Sequence, residues 1–212
     1  MNKRLSLLTA ALLLAGASSA FAASSTDLTV TGIITPAACT PSLTNGGIFD
    51  YGKRSAKDLN QIVYTPLGEQ TIQLTVNCDA AEQFAISLAD NRKNTASLIG
   101  GVQNFGLGLI NGNERLGDYY LSFKKPVADL AVQLLSSHDE GKSWRVYPEE
   151  DFIPRTYWVA FGNATGSGYA PDFLRAVTVD IVATALIAPA NTLTLTDEVK
   201  LDGSATLQIE YL

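Results

Sequence analysis

From residue 71 onward, apolar and polar residues alternate in run after run. A period of two commits a chain to strands, because successive side chains leave opposite faces of a sheet. In Thr71-Ile72-Gln73-Leu74-Thr75-Val76-Asn77-Cys78 the residues Ile72, Leu74, Val76 and Cys78 share one face, and Thr71, Gln73, Thr75 and Asn77 share the other. Phe84, Ile86 and Leu88 continue the pattern after a turn-like stretch, Asp79 to Glu82, where a hairpin or corner is predicted. The alternation returns at Tyr119, Leu121 and Phe123, at Leu130, Val132 and Leu134, at Tyr157, Val159 and Phe161, and at Val177, Val179, Ile181 and Ala183. Each of these reads as a half-buried strand. Turn chemistry separates them at Asn45-Gly46-Gly47, Asn111-Gly112-Asn113, Asp139-Glu140-Gly141-Lys142 and Gly162 through Gly168. No stretch keeps a helical period. Short strands with one apolar face each are buried most economically by packing two sheets together, so an all-β sandwich is predicted.

The amino terminus departs from this pattern. Lys3 and Arg4 precede an apolar run from Leu5 to Ala17, followed by the small residues of Ser18-Ser19-Ala20-Phe21-Ala22. This is the pattern of a secretory signal peptide, cleaved after Ala22. The run is too short to cross a bilayer core of about 30 Å as a helix, so no membrane span is expected in the mature form. No cysteine lies near the cleavage point, which speaks against a lipid anchor. The expected organisation is a signal peptide over residues 1–22 and a single domain over 23–212, with no linker or repeat. Removing residues 1–22 leaves 190 residues, enough for one substantial core. It also removes Lys3 and Arg4, moving the formal charge from −6 to −8. That acidity speaks against nucleic acid and anionic lipid, both of which require clustered Lys and Arg.

Export places Cys39 and Cys78, the two cysteines, in an oxidising compartment where they are expected to form one disulfide. Closing a loop of about forty residues is worth about 3 to 4 kcal/mol on the loop-entropy account. A metal site or reactive thiol needs further His or Cys partners, and His138 is the single histidine. It sits in the polar turn Ser136-Ser137-His138-Asp139-Glu140-Gly141, which reads as a solvated loop rather than as part of a nucleophilic triad. Glu149, Glu150 and Asp151 lie between Pro148 and Pro154 and read as an exposed loop rather than as a paired acid and base. Ser122-Phe123-Lys124-Lys125 has Ser-x-x-Lys spacing, but on an extended segment that spacing does not bring the two side chains together. Gly100-Gly101 and Gly106-x-Gly108 lack the strand-to-helix context of a phosphate loop. Asn163-Ala164-Thr165 matches a glycosylation pattern that is common by chance. No enzyme activity, metal or cofactor is expected. Trp144, Tyr147, Tyr157, Trp158 and Tyr169 could offer a stacking surface to a host or surface glycan, although most aromatics in a sandwich are core.

Three segments, in order, resemble the subunits of chaperone-usher fimbriae. Leu28-Thr29-Val30-Thr31-Gly32-Ile33-Ile34 followed by Cys39 resembles the alternating first strand of pilins. Ile72 through Asp79 resembles the second strand, ending at the partner cysteine. Gly203-Ser204-Ala205-Thr206-Leu207-Gln208-Ile209-Glu210-Tyr211-Leu212 resembles the final pilin strand, with its glycine and penultimate tyrosine. The chain is also similar to a less characterised group of fimbria-like periplasmic proteins. The resemblance covers about residues 28–90 and 172–212 and leaves 91–171 unmatched.

The resemblance implies an immunoglobulin-like, pilin-type Greek-key sandwich that lacks its last strand and is finished by a donated one. It implies a disulfide between neighbouring strands, and a contact strand for chaperone or subunit formed by Gly203, Ala205, Leu207, Ile209 and Tyr211. The implied partners are a periplasmic fimbrial chaperone, an outer-membrane usher and other fimbrial subunits. The implied location is the periplasm and then the fimbrium on the cell surface, in a structural or tip role contributing to adhesion. Leu28, Val30, Gly32 and Ile34 are either the donor strand, giving an ordinary building block, or the first strand of the domain. In the second case only Ala23 to Asp27 precede it, and the subunit accepts a strand without giving one. The competing reading is a stand-alone periplasmic or secreted β-sandwich that binds a glycan and needs no chaperone.

Overall fold

Every ladder between the described strands is antiparallel, and the chain divides these strands between two main sheets. The computed structural model describes residues 38–212. Its strands are β1 (Cys39–Leu43), β2 (Thr65–Glu82), β3 (Phe84–Asp90), β4 (Asn104–Gly106), β5 (Leu109–Ile110), β6 (Glu114–Arg115), β7 (Gly117–Ala128), β8 (Gln133–Ser137), β9 (Arg145–Val146), β10 (Trp158–Thr165), β11 (Gly168–Pro171), β12 (Leu174–Ile187) and β13 (Ala205–Tyr211). The first sheet has the order β1-β2-β12-β7-β4, and the second β13-β3-β10-β8-β9 with β11 also on β10. Strands β5 and β6 form a small separate ribbon. Short 3-10 turns are the only helical pieces among the described residues.

The apolar faces anticipated from the alternation form one core. Leu74 and Val76 from β2, Phe123 from β7 and Val179 from β12 meet Ile86 from β3, Leu134 from β8, and Val159 and Phe161 from β10, all of them buried. Phe84 and Phe161 pack with ring centroids 6.2 Å apart. On β2, Thr71, Gln73 and Asn77 are exposed while Ile72, Leu74 and Val76 are buried, as the period of two requires. An all-β fold of two antiparallel sheets around a common core is therefore observed, consistent with a β-sandwich. The disulfide joins Cys39 and Cys78 at directly opposed positions of β1 and β2.

Three local expectations are corrected. Asp79 to Glu82 is not a turn: β2 continues through it for 18 residues, and a register shift against β12 between Leu174 and Ala176 absorbs the irregular sequence. The break falls on Gln83, the single residue between β2 in one sheet and β3 in the other, so this is a corner and not a hairpin. Leu130 is outside any strand and 52% exposed, because the chain bends there and the Asp129 carboxylate accepts hydrogen bonds from the backbone N–H groups of Arg175 and Ala176. Gly162 lies inside β10, so the turn is confined to Gly166 and Ser167, between β10 and β11. A Cβ added at Gly162 would collide with the carbonyl oxygen of Ala170 on the paired strand. We expect Gly162→Ala to destabilise the fold by about 1–3 kcal/mol through overpacking, read as a lower urea midpoint with an unchanged slope.

Candidate functional site

Strand β13 pairs with β3 alone among the described strands. Its register sets Leu207 opposite Leu88, Ile209 opposite Ile86 and Tyr211 opposite Phe84 on β3. Its other edge has no strand partner among the described residues, which leaves a row of backbone donors and acceptors available for pairing. The chain reaches β13 through Gly203, where a Cβ would stand 3.0 Å from the Tyr119 ring and 3.1 Å from Leu107. A side chain there would require the Tyr119 ring and Leu107 to give way by a few tenths of an ångström.

Beside this edge lies a cavity of about 360 Å³ walled by Leu88, Leu107, Tyr119, Leu121, Ile181 and Leu207. A second cavity of about 640 Å³ adjoins it, with Phe49, Leu67, Leu116 and Ile187 in its wall and the charged residues Lys53, Arg54, Asp197 and Glu198 around it. Ile48, Phe49, Tyr51 and Leu201 line both, so the two cavities make one groove along the seam between the sheets. The segment after β1 lies in this seam. The Tyr51 hydroxyl donates to the Ala183 carbonyl at 2.7 Å, and burial pushes the phenol up to about 12. Burial likewise raises the Tyr119 phenol. Uncharged at neutral pH, both rings present apolar surface to the groove. The Cys39 N–H donates to the Tyr211 hydroxyl at 2.8 Å, tying the start of β1 in one sheet to the end of β13 in the other.

The residues of the anticipated contact strand take distinct places. Gly203, Ala205 and Leu207 line the groove. Ile209 is half-buried against the core and Tyr211 is 47% exposed at the end of β13; neither lines either cavity. Leu28, Val30, Gly32 and Ile34 lie outside the described residues, as does the segment read as a signal peptide. Sequence reasoning missed Tyr51 and Phe49 as groove residues. Both fall in an irregular segment where no periodicity marks them.

The other candidates are dispersed. His138 is exposed, and its ring centroid is 6.2 Å from that of Tyr157. Glu149 accepts from the Lys125 N–H, and Glu150 lies 3.7 Å from Lys124; both are exposed. Ser122 is buried within β7. The Asn163 side chain donates to the Ala131 carbonyl and the Asp172 carboxylate. Among the aromatics, Tyr147 is a core residue with its hydroxyl donating to the Phe152 carbonyl, Tyr157 lies under the Arg145 guanidinium, and Trp144 and Trp158 are half-buried. Tyr169, on β11, is 38% exposed.

The fold thus defines a class: an antiparallel, disulfide-linked all-β protein in which, among the described residues, one strand edge has no partner and borders a partly apolar groove. Residues 28–104 match a family model described as a protein of unknown function (DUF1120). Over nearly its whole length, the chain is similar to two proteins of Escherichia coli (strain K12). One is Protein GltF, 28% identical over 97% of this chain and 98% of that protein. The other is the uncharacterized protein YhcF, 26% identical over 95% of this chain and 98% of that protein.

Proposed function

We propose that this protein is an exported subunit of a chaperone-usher fimbria or a fimbria-like assembly, finished by a strand donated along the free edge of β13. The observation that carries this reading is that the second edge of β13 has no strand partner among the described residues and runs beside the apolar part of the groove. Either feature alone has bland explanations. Together they suit an extended peptide, whose backbone pairs with the edge while alternate side chains enter the groove. The strand order supports the same reading: β1-β2-β12-β7 in one sheet and β13-β3-β10 in the other is the order expected of an immunoglobulin-like Greek key whose final strand is missing. On this reading a periplasmic chaperone supplies the strand first and another subunit replaces it at the usher. The alternating residues Leu28, Val30, Gly32 and Ile34 decide the role: if they donate in turn, the protein is a shaft subunit, and if they do not, it terminates the assembly as a tip.

The test is periplasmic expression of the chain with and without a cognate fimbrial chaperone, scoring soluble yield and copurification. We expect recovery to depend on the chaperone. Ile209→Ser is expected to abolish it, and Val127→Ser, on an exposed face of β7, to leave it unchanged. A soluble monomer obtained equally well without a chaperone, and indifferent to Ile209→Ser, would favour the stand-alone binding domain.

A further inference from the structure

Away from the groove, three cationic side chains line a single cavity of about 150 Å³: Lys93 from the segment after β3, Arg115 from β6 and Arg155 from the segment before β10. Only four of the thirteen Lys and Arg among the described residues have a carboxylate partner, so what singles these three out is that they share one cavity. Among the described residues, none of these three has a carboxylate within 4.0 Å, whereas the neighbouring Arg92 is paired with Asp202 at 2.6 Å. Arg155 is held in place by neutral acceptors, the Asn104 side-chain oxygen at 3.2 Å and the Gly101 carbonyl at 3.0 Å. A guanidinium has five N–H donors, so several remain unused. Asn104 is fixed in turn by donating to the fully buried Asp118 at 2.7 Å. Arg155 is therefore positioned before any ligand arrives.

From this geometry we infer an anion-binding site whose ligand is a sugar ring bearing a single carboxylate, a uronic or sialic acid. The charge around the cavity selects the anion. Asp90 also lines it, with one oxygen accepting from the Arg92 N–H at 2.8 Å and the other from the Gly106 N–H at 3.1 Å. Asp118 stands directly behind the wall, accepting from the lining residues Asn104 and Leu98, so three cations face two carboxylates and the net charge of +1 suits a monoanion better than a doubly charged phosphate. The guanidinium fork matches carboxylate geometry. The rim selects the ring: Leu98 and Ile99 border the cavity and are 40% and 84% exposed, offering an apolar surface to the C–H face of a sugar. The cavity is too small for a longer chain, so one residue of a glycan is bound. This site does not depend on the donated strand.

The test is saturation-transfer NMR on the purified protein, or on its chaperone complex if that is the form recovered, with glucuronate, N-acetylneuraminate, glucose and inorganic phosphate as probes. We expect at least one of the two carboxylated sugars to bind, glucose not to bind, and affinity to fall as salt is raised. Arg115→Gln is expected to weaken binding at least tenfold while leaving the backbone spectrum unchanged, because the Arg115 side chain makes no hydrogen bond among the described residues. Lys142→Gln, on the exposed turn after β8, is expected to have no effect. Glucose binding as well as glucuronate, phosphate displacing both sugars, or Arg115→Gln leaving affinity intact would each overturn the assignment.

Discussion

Asp118→Ala is expected to lower stability by about 3 kcal/mol or more, one of the two largest effects we anticipate from small substitutions in this protein. Asp118 lies in β7 with no exposed surface and no basic side chain within 4.0 Å among the described residues. Its carboxylate is held instead by the Ser97 hydroxyl, the Leu98 N–H at 3.1 Å and the Asn104 amide at 2.7 Å. Alanine removes the acceptor of all three donors; the Asn104 amide is the buried one, at a cost of about 1–3 kcal/mol when orphaned, and the lost packing of a fully buried side chain adds to it, offset in part by relief of a buried charge. Asp118→Asn keeps the shape and one acceptor oxygen, and the Ser97 hydroxyl can turn to accept from the new amide. Its cost is expected to be less than half that of alanine. Urea unfolding of the three proteins, prepared identically, measures both. A loss below 1 kcal/mol for alanine would mean that the network only decorates a loop secured by other contacts. Because Asn104 links Asp118 to Arg155, alanine should also increase amide exchange through residues 97–101.

The second large effect is expected for the double substitution Cys39→Ser and Cys78→Ser, at about 3–4 kcal/mol. Replacing both residues avoids a lone thiol and its side reactions. β1 is the edge strand of its sheet and only five residues long, so its ladder to β2 is short, and the disulfide fixes one end of that ladder. Losing the bridge also frees the Cys39 N–H that donates to Tyr211. Tyr211→Phe removes only that acceptor and is expected to cost about 1 kcal/mol. If removing the disulfide costs no more than removing the tyrosine hydroxyl, the bridge does not stabilise the seam. Thermal unfolding with and without reductant gives an independent check on the unmutated chain.

Much of the fold could be read from the alternation because one buried face per strand leaves a mark at every second residue. Ile72, Leu74 and Val76, then Phe84, Ile86 and Leu88, then Val177, Val179 and Ile181 all turn the same way in the structure. Reading failed where tertiary pairing overrode local chemistry. Asp79 to Glu82 has turn-forming character but is drawn into β2 by its ladder with β12, and Gly162 is demanded by a close neighbouring strand rather than by a turn. The free edge of β13 was not legible from residue pattern alone, since a strand paired on one side alternates just like a strand paired on two. Only the resemblance suggested it. The cationic cavity could not be read at all. Lys93, Arg115 and Arg155 come from three distant segments, and no spacing in the sequence brings them together.

The pairing of β13 with β3 also sets an order of events. Its partners, Ala205 with Asp90 through Tyr211 with Phe84, are more than a hundred residues apart along the chain. The β12 ladder with β2 is nearly as distant in sequence. Contacts of such separation form late, because loop closure must be paid before they return any stability. Until then β3, with Phe84, Ile86 and Leu88, is an open hydrophobic template in a crowded compartment. Substitutions that leave the native state untouched can therefore still decide how much of it accumulates.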